Sequence, residues 1–130
     1  MQRNPQVPMT IASQIPDNLS DLLPLSPVVF FVLFALAEGE MHGYRIMQQV
    51  AILSDQKLRM GPATLYTTIQ RLVDQHLVEE TDKDAGGRRR YYRLTGSGHT
   101  LFRAELDRQA TVLKLARSRN LILTPSEEAQ

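Results

Sequence analysis

The 130-residue sequence contains no cysteine and no tryptophan. Without thiols there can be no disulfide framework, no thiolate metal site and no cysteine nucleophile, and the composition suits a reducing cytosol, so a cytoplasmic protein is expected. Long apolar runs are also missing. The longest, Val28 to Ala37, is ten residues, about half of the roughly 20 needed to cross a bilayer, and reads as a buried core helix rather than a membrane span. The opening MQRNPQVPMTIASQ lacks the continuous apolar segment of a secretory signal. Net charge is only +1, so the molecule as a whole makes a weak case for a polyanionic partner. His42, His76 and His99 are scattered, and no HExxH, glycine-rich phosphate loop or nucleophile elbow occurs. Enzyme chemistry finds no foothold: no catalytic residue, metal or cofactor is expected.

What is present is mainly helical, with room for one modest core. Residues 1–24 carry four of the seven prolines among polar residues and read as a partly disordered arm with a short helical turn near Asn18 to Leu23. Ser26-Pro27 is a serine cap followed by a proline at the first helical position, and the apolar helix it opens is expected to end near Gly39. Its apolar residues run all round, so it must be covered on most sides. His42-Gly43-Tyr44 starts a second helix, with Tyr44, Met47, Val50 and Ala51 as its predicted buried stripe and an end near Ser54. After a polar connection from Asp55 to Met60, Gly61-Pro62 opens a third helix that runs to about Leu77, with Leu65, Ile69, Leu72 and Val73 inward. Val78 to Thr81 and Arg90 to Leu94 read as the strands of a hairpin tipped by Gly86-Gly87. A long last helix follows over residues 96–123, and residues 124–130 form a tail.

The chemistry sits in the third helix and the hairpin after it. A helical wheel sets Thr64, Thr67, Gln70 and Arg71 opposite the apolar stripe, with Tyr66 on the flank. Thr64, Thr67 and Gln70 are candidate readers of base edges in a major groove, while Tyr66 and Arg71 suit phosphate oxygens. The returning strand carries Arg88, Arg89, Arg90 and Arg93 and no acid. Its pleat puts Arg89, Tyr91 and Arg93 on one face and Arg90, Tyr92 and Leu94 on the other. Leu94 marks the second face as the core side, so Arg88, Arg89 and Arg93 are the predicted phosphate ligands. A helix followed by a basic ribbon is the arrangement of a winged helix-turn-helix, here spanning residues 25–95, and its expected partner is double-stranded DNA. The acidic group Glu79 to Asp84 beside the ribbon keeps an alternative open, a winged-helix module that binds protein instead of DNA.

Three motifs in this order, LSPVVFFVLFALAEGEMHGYRIMQQV with its His42-Gly43-Tyr44, GPATLYTTIQRLVDQHLVE and GGRRRYYRLTGSG, resemble a PadR-type transcriptional regulator over Leu25 to Leu106. The resemblance implies a homodimer, usually a repressor, in which the last helix packs across a twofold axis. Phe102, Leu106, Ala110, Leu113 and Ala116, which share a face of that helix, are then the expected dimer contacts. It also implies two half-sites about 34–36 Å apart in an inverted repeat. In several relatives a phenolic acid or a planar drug-like compound binds near the interface and releases DNA. The absence of tryptophan here removes the stacking residue of the multidrug-sensing members. What the resemblance implies for a ligand is a small aromatic or hydrophobic effector, of an identity the missing tryptophan leaves open.

Overall fold

The computed structural model describes residues 17–81 and 89–122; the glycine tip and Arg88 of the predicted wing lie outside them. The elements are α1 (Asp17–Ser20), α2 (Pro27–Ala37), β1 (Met41–His42), α3 (Gly43–Leu53), α4 (Pro62–Asp74), β2 (Val78–Thr81), β3 (Tyr91–Leu94) and α5 (Gly96–Ser118). The mainly helical class with a small sheet is as expected. The sheet itself has three strands in the order β1-β3-β2, all antiparallel, where a two-stranded hairpin was predicted. The extra strand, β1, pairs Met41 with Tyr92 and His42 with Tyr91. Two residues are too few to show the alternation that reveals a strand in a sequence.

Helix starts are capped by side chains at Ser26, as predicted, and at Thr95. Ser26 Oγ accepts the Val29 N–H at 3.3 Å and Thr95 Oγ1 accepts the Gly98 N–H at 3.0 Å, each satisfying a backbone donor that the first turn would otherwise leave orphaned. Helix ends are set differently. After α3, α4 and α5 the chain turns through Asp55, His76 and Asn120, each at positive φ, and the same pair of bonds closes each end. Gln56 N–H reaches Ala51 O, Leu77 N–H reaches Leu72 O and Leu121 N–H reaches Ala116 O, with bonds of smaller sequence span, Asp55 to Ile52, His76 to Val73 and Asn120 to Arg117, inside them. This is the Schellman arrangement, in which a left-handed residue captures the last free carbonyls. It stops α4 at Asp74 rather than Leu77 and α5 at Ser118 rather than residue 123.

The core gathers around α2. Val32, Leu33, Ala35 and Leu36 are buried, facing Ile46 and Val50 of α3, Leu65, Ile69 and Leu72 of α4, Tyr92 and Leu94 of β3, and Leu101 and Ala104 of α5. Phe30 and Phe34 meet the Phe102 ring at 5.6 and 5.4 Å between centroids. Leu19 of α1 is 6% exposed within this core, so the last part of the proline-rich arm is structural. The predicted stripe of α3 is corrected: Gly43, Ile46 and Val50 point inward and Tyr44 is 62% exposed. Tyrosine satisfies an apolar period while also tolerating water through its hydroxyl, which is why the pattern misplaced it.

Two junctions fix how the elements meet. Thr95 N–H donates to Leu77 O at 3.0 Å, and Gly98 lies so near that carbonyl that a Cβ there would collide with it. Farther along α5, Glu105 is 2% exposed. Its carboxylate accepts Arg108 Nε at 2.7 Å and Nη2 at 3.0 Å, Gln109 Nε2 at 3.1 Å, and the Leu25 backbone N–H. The hydrogen bonds from Arg108 lead in holding its pKa below the ordinary carboxylate value, against the opposing effect of burial. Among the described residues no helix is long and apolar enough to cross a membrane.

Candidate nucleic-acid interface

Gly61 caps α4 without a side-chain bond and Pro62 sits in its first turn, so the helix starts where a rigid φ favours it. Its moderately polar sequence folds because Leu65, Ile69 and Leu72 are buried. That burial forces the opposite face outward. Thr64, Tyr66, Thr67, Gln70 and Arg71 are all exposed, and Tyr66, Thr67, Gln70, Arg71 and Asp74 line one shallow groove of about 540 Å³. Thr68, between them, is buried and donates to the Thr64 carbonyl at 2.8 Å, which leaves the Thr64 side chain at the surface. Gln70 Nε2 donates to Asp74 Oδ1 at 2.9 Å, so part of its amide is engaged by its own helix.

The turn before α4 is held from within. Ser54, buried, accepts the Leu58 N–H at 3.0 Å and donates to Ala51 O at 3.3 Å. This fixes α3 against α4, and Tyr66 then lies over Gly43 so closely that a Cβ at Gly43 would strike its ring. Glycine at that position is what allows the approach.

The strand side divides as its pleat requires. Tyr92 and Leu94 are buried, while Arg93 is exposed and Tyr91 half-buried. Burial pushes the Tyr92 phenol above its usual value, with Glu80 adding to the effect. The register sets Glu79 opposite Arg93, and Arg93 Nε donates to Glu79 Oε1 at 2.7 Å. Arg90 lies 3.5 Å from Glu80. Arg89 differs: among the described residues it has no acidic partner, and its Nη1 is 3.3 Å from His42 Nε2. Two of the three predicted phosphate ligands can therefore be placed, Arg93 paired with an acid and Arg89 free of one.

Arg89 and Arg90 share a cleft of about 430 Å³ with His42, Gly43, Tyr44 and Tyr66. Tyr66 belongs both to this cleft and to the groove along α4, so helix and strand present one continuous surface that turns at Tyr66. Sequence reasoning took His42 only as a helix opener, a part it plays by accepting the Arg45 N–H at 3.3 Å. It missed His42 and Tyr44 as walls of the cleft. The signal was the strand Met41–His42, which sets His42 beside β3 and starts the helix bearing Tyr44 next to it, and it was too short to read.

Such a surface, with an exposed helix of hydrogen-bonding side chains beside a basic strand on a three-helix core, defines a winged helix-turn-helix regulator. The chain belongs to the Transcriptional regulator PadR-like family, whose model matches residues 32–104. It is 33% identical over 69 residues to Uncharacterized protein X of Lysinibacillus sphaericus, an alignment that covers 52% of this chain and 63% of that protein. It therefore spans less than two thirds of that relative. Among solved structures, a PadR family transcription regulator from hypervirulent Clostridium difficile R20291 aligns with a TM-score of 0.58 at 19% identity, covering 72% of this chain and 97% of that one. Bacillus subtilis PadR in complex with operator DNA aligns with a TM-score of 0.55 at 22% identity, covering 62% of this chain and 47% of that one. These likenesses establish the shared fold.

Proposed function

We propose that this regulator binds double-stranded DNA sequence-specifically as a homodimer and represses transcription from an inverted-repeat operator. The observation that carries the reading is the continuity of the α4 groove and the His42–Arg89 cleft through Tyr66. Thr64, Thr67 and Gln70 read base edges, Tyr66, Arg71 and Arg89 hold phosphates, and Arg88 extends the grip from the wing. The solved complex of Bacillus subtilis PadR with operator DNA supports the same use of this fold.

Support for the dimer comes from α5. Its first turns are buried in their own protomer, and Phe102, 9% exposed, is largely used up there. Beyond Glu105 the helix carries Leu106, Val112, Leu113 and Leu115, each at least 40% exposed, with Ala110 exposed and Ala116 half-buried. Apolar residues spaced along an exposed helix call for a partner helix, and a second copy supplies an identical one. A small aromatic effector acts on this dimer near the half-buried Phe30, Phe31 and Phe34, by binding a spacing of recognition helices that does not fit DNA more tightly than the one that does.

Gel-shift titration against the DNA upstream of its own gene tests the proposal, with light scattering to read the assembly. Salt-sensitive binding near 10⁻⁸ M or tighter to an inverted repeat, at roughly that order for specific complexes, by a dimer is the expected result. Absence of such binding with and without aromatic acids ends the reading. Glu79 and Glu80, which neutralise Arg93 and Arg90, favour the protein-binding alternative, and a stoichiometric protein partner that survives nuclease treatment is its signature.

A further inference from the structure

The imidazole of His42 stands between two hydrogen-bond donors. Its Nδ1 faces the Arg45 backbone N–H at 3.3 Å and its Nε2 faces Arg89 Nη1 at 3.3 Å. A neutral imidazole offers one lone pair and one N–H. If Nδ1 accepts the bond that caps α3, Nε2 carries a hydrogen aimed at the guanidinium. If Nε2 accepts from Arg89, the cap is lost. Protonation sets donor against donor on both sides. In every state of the ring at least one of these contacts lacks an acceptor, and the ring is held in place by the Tyr91 edge at 5.6 Å and the stacked Tyr44 at 6.4 Å.

The surroundings show where an acceptor can enter. His42 Nε2 and Arg89 open on the cleft whose other walls are Tyr44 of α3, Tyr66 of α4 and Arg90 before β3, with no carboxylate among the described residues that line it. The acids near His42, Glu38 and Glu40, line a second groove, which His42 also borders together with Arg45 and Tyr91. We propose that a phosphodiester oxygen of bound duplex DNA is the missing acceptor, shared by His42 and Arg89, and that DNA binding takes up a proton at His42. The proposal rests on the DNA-binding reading and adds to it a ligand and a dependence on pH.

The sign follows from the charges. In the free protein desolvation, then the cations Arg89 and Arg45, hold His42 below its ordinary value of 6.5, which keeps the ring neutral at neutral pH. A phosphate anion in hydrogen-bond contact favours the imidazolium and raises the value in the complex. Affinity then strengthens as pH falls through the window between the two values, and is flat above and below it.

A phosphate contact does not depend on base sequence, so a mixed-sequence duplex at low salt serves as the probe. Affinity of the full chain is measured by fluorescence anisotropy from about pH 5.5 to about pH 8, spanning the histidine range, for the wild type and His42→Asn. Asparagine keeps an acceptor for the α3 cap and cannot take up the proton. The wild type is expected to gain up to about tenfold per pH unit on acidification, the limit for one proton, with its advantage over His42→Asn widening in step. Calorimetry of the wild type in two buffers of different ionisation enthalpy reads the proton directly and does not depend on the variant's folding. Parallel pH slopes, or proton uptake indistinguishable from zero while DNA still binds, overturn the proposal and leave the DNA-binding reading standing. Failure of the wild type to bind DNA at any pH overturns both.

Discussion

Helix α4 and strand β3 both turn polar side chains outward, yet they hold them in opposite ways. On α4 the side chains of Thr64 and Thr67 make no hydrogen bond among the described residues, and only Gln70 is tied, to Asp74. On the strand side the cations are engaged: Arg93 with Glu79, Arg90 with Glu80, Arg89 against His42. Neutral groups can wait in water at little cost, while cations beside strand acids find them at once. On the proposed reading the helix discriminates and the strand holds, and much of the strand's charge is already balanced within the protein.

The largest effect should come from breaking the frame that keeps these two surfaces together. Gly98→Ala drives a Cβ into the Leu77 carbonyl, a backbone atom that cannot swing aside. Overpacking typically costs about 1–3 kcal/mol and more where a backbone atom blocks relief, so about 3 kcal/mol or more is expected here, and calorimetry should show Tm lower by roughly 10 °C or more. Next is Arg89→Ala, which removes a wing cation that has no acidic partner among the described residues. Its loss should weaken every DNA sequence alike by about 1.5–3 kcal/mol, the usual worth of a charged hydrogen bond, and reduce the slope of log affinity against log salt by about 1. Thr64→Ala should instead change preference between operator variants by about 1 kcal/mol at one base position, read by competition gel shift. Uniform loss in that assay would erase the proposed division between helix and strand. Arg93→Ala should do least. An exposed pair is worth about 0–1 kcal/mol, so stability moves within that range and DNA affinity falls far less than for Arg89→Ala. Equal losses for the two arginines would show that Glu79 does not restrain Arg93.

The outward face of α4 was legible in the sequence because a 3.6-residue period needs no knowledge of the rest of the chain, and Gly61-Pro62 fixes its start. The pairing of Arg93 with Glu79 was not. It depends on strand register, which rests on the length and geometry of the connection between β2 and β3. The ends of α4 and α5 were overrun by several residues because the left-handed positions that close them hold His76 and Asn120 in place of glycine, so the usual stop signal is missing. Burial of Glu105 was invisible for a further reason: its partner, the Leu25 N–H, comes from the far end of the domain. His42 was noticed and undervalued, since its second neighbour, Arg89, reaches it only through the pairing of β1 with β3.

Glu105 grips at once the loop before α2 and the next turn of its own helix, and almost no water reaches it. The helix beyond it is largely exposed, so the carboxylate acts as a fulcrum. Torque applied to the distal arm of α5 reaches the body through this pivot and through Phe102, which packs on Phe30 and Phe34 of α2.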